Sequence, residues 1–398
     1  MTTALGRCVG DTGRFLAEHW SVAPLHLPGA GAGAFADLLT LDDVDRIVSS
    51  SLPRTPSFRL VRDGHPLDPA RYTRPTTIGG RPVTGAAHAG LVWKEFSAGA
   101  TIVLQSLQRT WPALAAFCRD LELELTHPVQ ANAYVTPPAA RGLAVHHDTH
   151  DVLVLQVAGS KRWAVHPPVL ELPLRTQPWK ASMGPPAEPL LDVELRAGDS
   201  LYVPRGFPHS ARAQDGVSIH LTVGVLAWTG EDVAREVVRR AADHLPLRRA
   251  MPVGFADDED AAVAAVAAAV AELRDWLGTV DPEAVARGLT TRFWSTRPAV
   301  LAGQLRQLCL VDGLDDSTVV RRRPAAVCRL SRAGSRLVVT LGDRVLRMPA
   351  ALEPPMRRLV AGEPLSVADL DPWLDMQSRH VLARRLVREG LLEIVAAT

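Results

Sequence analysis

Residues 130–163 read QANAYVTPPAARGLAVHHDTHDVLVLQVAGSKRW, and the fold turns on how they are read. Residues 152–157 are a short apolar run rich in valine and leucine, the pattern of a buried strand. Just before it stands His146-His147-Asp148. In a strand, residues two apart share a face, so His146 and Asp148 project together and His147 points away. An imidazole and a carboxylate on one face suit a divalent metal. A second histidine would complete the two-His, one-carboxylate set of non-haem Fe(II) oxygenases. Residues 196–210, RAGDSLYVPRGFPHS, supply a candidate. Gly198-Asp199 signals a turn, Leu201-Tyr202-Val203-Pro204 a short strand, and His209 follows a second turn. A lone HxD triplet is weak evidence of a metal site. The triplet, the strand after it and the GDxLYVPxGxxH phrase together are specific.

Lys161 is the next informative residue. The chain has only three lysines, Lys94, Lys161 and Lys180, and arginine carries most of the positive charge. Lys161 lies between the apolar strand and Trp163. Buried there, its ammonium would need an anionic partner. The alternative is a solvent-facing lysine at a hairpin turn, Gly159-Ser160, and spacing alone leaves both open.

Composition bounds the class. A chain of 398 residues with 47% hydrophobic content can build more than one well-formed core. A net charge of +1 gives no electrostatic case for nucleic acid or membrane as the main partner. Cys8, Cys118, Cys309 and Cys328 are widely spaced and form no CxxC, which reads as free thiols in a reducing compartment. No basic-then-apolar leader and no run of about 18 apolar residues is visible, so a cytoplasmic chain is expected.

The phrases ANAYVTPPAARGLAVHHDTHDVLVLQVAGSKRW, GDSLYVPRGFPHSA and VSIHLTVGV resemble the Jumonji-C ribosomal oxygenases, a branch of the cupin superfamily. The resemblance implies an Fe(II)- and 2-oxoglutarate-dependent hydroxylase of protein side chains, with a ribosomal protein as substrate, hydroxylated at arginine or histidine. It implies that His146, Asp148 and His209 bind iron and form the catalytic centre. It assigns Lys161 to the distal carboxylate of 2-oxoglutarate, and Asn132 and Tyr134 to the same pocket. Ser218 and His220 fall on a later strand facing the site, as outer partners. Two rivals share the motifs: a hydroxylase that tailors a small peptide natural product, and a non-catalytic cupin that only binds a ligand.

The expected architecture is α+β and multidomain. Residues 1–228 would form the catalytic jelly roll, a double-stranded β-helix of cupin type, with N-terminal lid elements that include Phe15, Trp20 and Leu25. Within them, Thr40 reads as an N-cap with Leu41, Val44 and Ile47 on one helical face, and residues 58–62 as a strand. Residues 100–104 read as a helix start or a strand. The Pro-rich stretch 167–188, carrying Trp179 and Lys180, reads as a substrate-facing loop or a surface excursion. From 229 to 300 the period turns helical, with Val233, Val237 and Ala241 four apart and an alanine-rich helix after Asp257-Asp258-Glu259-Asp260. The resemblance makes this a dimerisation domain, hence a homodimer. Residues 301–398 read as hairpin, helices and a closing strand, and resemble a winged helix. Arg379, His380, Arg384, Arg385 and Arg388 gather on the last helix, but nearby acids dilute them, which disfavours nucleic acid as partner.

Overall fold

The computed structural model describes residues 3–29, 31, 33–140 and 142–395. They divide into two compact units, the first ending at Ala227 and the second beginning at Trp228.

Thirteen strands build the first unit. They are β1 (Leu25–Leu27), β2 (Phe58–Arg62), β3 (His65–Pro66), β4 (Thr73–Ile78), β5 (Arg81–Ala87), β6 (Thr101–Leu104) and β7 (Val129–Thr136). Then follow β8 (Asp151–Ala158), β9 (Ser160–Val165), β10 (Leu191–Arg196), β11 (Ser200–Val203), β12 (His209–Ala213) and β13 (Ser218–Val225). Eight join in one antiparallel sheet in the order β1-β11-β8-β13-β7-β6-β2-β3. A smaller sheet runs β10-β9-β12, and β4 and β5 form a separate hairpin. The two main sheets make a cupin-type barrel. Residues 101–104 thus form a strand, because Thr-Ile-Val-Leu prefers a pleated, buried surface to a helix.

Alternation gives the large sheet two different faces. Ala131, Ala133, Val135, Leu153, Leu155, Ile219, Leu221 and Val223 point to one side and are buried there. The helices α1 (Ala4–Val9), α2 (Thr12–Glu18), α3 (Leu41–Ser50), α4 (Ala89–Ser97) and α5 (Pro112–Leu125) contribute Val9, Phe15, Val48, Val92, Leu114 and Leu121 to the same cluster. Each such aliphatic or aromatic side chain contributes about 1.5–3 kcal/mol by leaving water. Phe15 and Trp20 pack on Tyr202, with ring centroids 4.8 and 6.1 Å away. Phe15, Trp20 and Leu25 therefore cover this outer face of the sheet rather than the mouth of the barrel. Helix α3 starts at a capping box between Thr40 and Asp43 and buries Val44, Ile47 and Val48, whereas Leu41 sits in its first turn and is exposed. The other face of the sheet carries Asn132, Tyr134, Thr136, Gln156, Ser218 and His220, the polar residues at the intervening positions.

The second unit holds α6 (Gly230–Arg240), α7 (Glu259–Leu277), α8 (Pro282–Ser295) and α9 (Gln304–Leu310). Strands β14 (Val319–Arg322), β15 (Arg329–Ala333), β16 (Arg336–Thr340) and β17 (Val345–Pro349) follow, then α10 (Glu353–Val360), β18 (Leu365–Ser366), α11 (Met376–Arg388) and β19 (Leu392–Ile394). Strands β16 and β17 pair as a hairpin, and β14 lies between β18 and β19. Helix α7 is capped by Asp258 and buries none of its 19 residues. Val233 and Val237 of α6 do not enter a closed core. They line an apolar groove with Leu277, Val285 and Leu289. No helix among the described residues is long and apolar enough to cross a membrane.

Candidate metal centre

The barrel interior converges on one cavity, lined among others by Tyr134, His146, Asp148, Lys161, His209 and His220. His146, Asp148 and His209 each place a ligand atom within 4.8 Å of the others. Asp148 Oδ2 lies 3.6 Å from His209 Nε2, and the two imidazole centroids are 4.6 Å apart. His209 opens β12, just after the second turn. His146 and Asp148 do not lie in a regular strand. His146 forms an isolated bridge to His209, its N–H donating to the His209 carbonyl and its carbonyl accepting from the His209 N–H, and Asp148 follows in irregular backbone. The bridge brings His146 to His209, and Asp148 joins them without a shared strand face. His147 does point away: Nε2 lies 3.3 Å from the Gln177 carbonyl, and its ring meets Trp179 edge-on at 5.3 Å.

Both ligand imidazoles are fixed from behind. His146 Nδ1 is 2.8 Å from the Ala144 carbonyl, and His209 Nδ1 is 3.0 Å from the Phe207 carbonyl. A carbonyl can only accept, so each Nδ1 carries the proton and each Nε2 lone pair faces the cavity. Burial, with His146 beside it, pushes His209 down to about 4, so it is neutral near pH 7. Burial raises the Asp148 carboxyl, but His209, His150 and His146 outweigh that and hold it below its ordinary value. Two neutral imidazoles and one carboxylate are the donor set for a divalent metal such as Fe(II), with room left for other ligands.

The turn behind the triad is tight. Gly206 donates its N–H to the Asp148 carbonyl at 3.0 Å and has φ +88°. A Cβ there would meet the Leu170 carbonyl at 2.6 Å and Pro173 at 2.7 Å, so only glycine fits. Stretch 167–188 is thereby seated against the metal turn at Gly206 and at His147, and among its residues only Ala181–Met183 form a helical turn.

Lys161 is 2% exposed. Its ammonium donates to Thr136 Oγ1 at 3.1 Å and pairs with no described carboxylate. Burial alone pulls it down to about 7. The solvent-facing alternative is thus excluded. A cation this deep favours an anionic ligand. Gly142 leaves room for one, since a Cβ there would come within 3.3 Å of Nζ. His220 and Tyr134 stand directly opposite on β13 and β7 and stack at 4.9 Å. Burial pushes the Tyr134 hydroxyl up to about 12 and holds His220 well below its ordinary value, so both are uncharged. Asn132 and Ser218 lie on the same faces but are engaged elsewhere: Asn132 Oδ1 accepts from the Ser106 N–H at 2.9 Å, and Ser218 Oγ accepts from Gln156 Nε2 at 2.9 Å.

Thr136, Gly142 and Trp163 escape the sequence reading, although Thr136 shares parity with Asn132 and Tyr134 on β7. That parity is the one signal that could have found it. Trp163 lies in the same cavity, 6.0 Å from the His209 ring and 5.3 Å from the His220 ring.

Residues 104–233 match the family described as JmjC domain, and the fold and donor set above define a JmjC cupin-type barrel. Ribosomal oxygenase 1 of Gallus gallus is 34% identical over 212 residues, covering 52% of this chain and 34% of that protein. The bifunctional lysine-specific demethylase and histidyl-hydroxylase NO66 of Drosophila persimilis is 28% identical over 247 residues, covering 60% of this chain and 34% of that protein. The chain thus spans about a third of the length of these curated relatives. The Escherichia coli ribosomal oxygenase YcfD has a similar fold across 97% of this chain and 98% of its own, at TM-score 0.55 and 19% identity. A second structure of YcfD, in complex with cobalt and 2-oxoglutarate, aligns with TM-score 0.55 and 17% identity. Residues 104–233 thus match a JmjC domain, and over about half of its length the chain is similar to proteins named ribosomal oxygenase and histidyl-hydroxylase.

Proposed function

We propose that the chain is an Fe(II)- and 2-oxoglutarate-dependent oxygenase that hydroxylates a side chain of a protein, with a ribosomal protein as the favoured substrate. One observation carries the reading: a two-His, one-carboxylate triad opens into the same cavity as a buried lysine with no carboxylate partner among the described residues. Iron, when bound, would supply the oxygen-activating redox chemistry. This chain's residues do the rest. His146, Asp148 and His209 hold the metal. Lys161 neutralises the far carboxylate of 2-oxoglutarate, with Thr136 aiming its ammonium. Tyr134 and His220 wall the pocket and exclude water, while Asn132 and Ser218 brace the strands behind. The relatives named ribosomal oxygenase and histidyl-hydroxylase support the substrate class.

The second unit supports a scaffold role. Residues 229–300 are read as a dimerisation domain and residues 301–398 as a winged helix. On α7, Val263, Val266 and Val270 are exposed at 62, 52 and 59%, and Leu273 and Leu277 continue the same three-four spacing. Such a seam suits a second copy of the helix. The described cysteines are all free, which supports a cytoplasmic setting. Mass spectrometry of ribosomal proteins from cells with and without the gene tests the substrate: one ribosomal peptide should gain a single oxygen atom. Purified chain that consumes no 2-oxoglutarate with Fe(II), alone or with ribosomes from the deleted strain, would refute the activity.

A further inference from the structure

We infer that Arg59 determines substrate specificity at this site, excluding a cationic target side chain and offering its guanidinium to a hydrogen-bond acceptor on the bound peptide. This rests on the hydroxylase reading and extends it, because that reading leaves arginine and histidine targets equally open.

Alternation on β2 sends Phe58 and Leu60 into the helix-side core. Arg59 therefore lies on the opposite face, the one that looks into the barrel. Register places it in a row with the site: Arg59 stands opposite Val103, Val103 opposite Tyr134, and Tyr134 opposite His220. Two contacts hold the guanidinium. Its Nε donates to Gln105 Oε1 at 2.8 Å, and it also engages the Tyr134 hydroxyl.

The charge of Arg59 is not balanced by an ion pair with any described residue. The contrast with its neighbours is direct. Arg62, three residues on along the same strand, pairs with Glu95 at 2.5 Å, and Arg71 pairs with the same carboxylate at 3.0 Å. Arg59 is half-buried and pairs only with neutral acceptors. The cavity next to it offers no relief to a second cation. Asp148 is the single carboxylate among its described lining residues, and the metal claims it. A substrate guanidinium entering here would be desolvated beside Arg59 without a protein acid to pair with. A neutral side chain meets no such cost. The free N–H groups of Arg59 instead favour a peptide carbonyl or carboxamide next to the target.

The test uses the full chain loaded with Co(II) and 2-oxoglutarate, whose binding is first measured by calorimetry. Two randomised heptapeptide libraries, centred on histidine or on arginine and otherwise alike, are then passed over the immobilised protein. Retained peptides are counted by mass spectrometry. The wild type should retain the histidine library at least about tenfold over the arginine library, as one unmatched charge at a partly buried site implies. Arg59→Lys should keep that preference, Arg59→Gln should bring the ratio near one, and Arg59→Glu should invert it. The inference is overturned if the ratio is the same in all four proteins, if the wild type prefers arginine, or if a wild type that binds 2-oxoglutarate retains neither library. A wild type that fails to bind 2-oxoglutarate at all refutes the hydroxylase reading itself, and this one with it.

Discussion

Lys161 in the barrel and Arg379 on α11 are both largely buried cations, at 2 and 9% exposure, and their surroundings are opposite. Arg379 is saturated. It pairs with Asp316 at 2.6 Å and Asp371 at 2.9 Å, and with His380 it holds the Asp316 carboxyl down at about 2. The rest of that basic cluster is likewise engaged: Arg388 with Asp312 at 2.9 Å, Arg385 with Glu389 at 2.8 Å, and Arg384 with the Leu314 carbonyl at 2.7 Å. Lys161 has one hydroxyl, that of Thr136. Five basic residues gather on one helix, diluted in the sequence by nearby acids, and folding commits them to contacts within the chain. One lysine reads equally as a buried cation or a hairpin residue, and folding leaves it buried without a described anion. The unsatisfied group, rather than the larger number of charges, marks the functional site.

The sharpest way to break this comparison is at the metal. Asp148→Ala removes the only carboxylate donor of the triad, so Co(II) binding by calorimetry and 2-oxoglutarate turnover should both vanish. Retained turnover would show that the triad is not the centre. Next in size is Lys161→Met. Losing one partner of a buried charge pair costs roughly 2–5 kcal/mol, so the Kd for 2-oxoglutarate should rise about thirtyfold or more with metal affinity intact. The same change should raise the melting temperature of the protein free of 2-oxoglutarate, because it deletes a buried, unpaired ammonium. A lowered melting temperature would mean that Lys161 is structural.

A pH titration is a milder perturbation of the same group. The folded free protein holds Lys161 at about 7, below the ordinary lysine range. The unfolded chain therefore binds more protons between the two values, and stability of the free protein should climb as pH rises through that window. A bound dicarboxylate favours the charged form. Its Kd should be lowest below about pH 7 and then weaken by up to about tenfold per pH unit above it. A flat profile from pH 7 to 9, measured by calorimetry, would remove the charge from the binding step. The smallest effect belongs to the other side of the comparison. Arg379→Met should lower the melting temperature, since it breaks the ion pairs with Asp316 and Asp371, yet leave the 2-oxoglutarate Kd unchanged. Any change in cosubstrate affinity would show that the two regions are coupled.

Much of the barrel was legible because strands announce themselves by alternation and turns by Gly, Pro and Asp. The run at 152–157 lies within β8, and His209 opens β12 after the expected turn. Other readings failed for a common reason. Phe15, Trp20 and Leu25 are visibly packing residues, but which face of a sheet they cover depends on where distant strands lie. Leu41 continues an apolar spacing and yet faces solvent in the first turn of α3. Thr136 and Arg59 are unremarkable letters until β7 pairs with β13 and β6 pairs with β2.

What the sequence determined by itself was the chemistry on offer: two imidazoles and a carboxylate in recognisable phrases, a scarce lysine, and strands of period two to carry them. Those are local properties, set by residue type and by spacings of a few positions. Which groups meet was decided only by the tertiary structure. The bridge between His146 and His209, the burial of Lys161 against Thr136 and the row from Arg59 to His220 all join residues far apart in the chain. Long-range strand pairing fixes such distances, and burial then changes what each group can do, because an unpaired charge is costly only once water has gone.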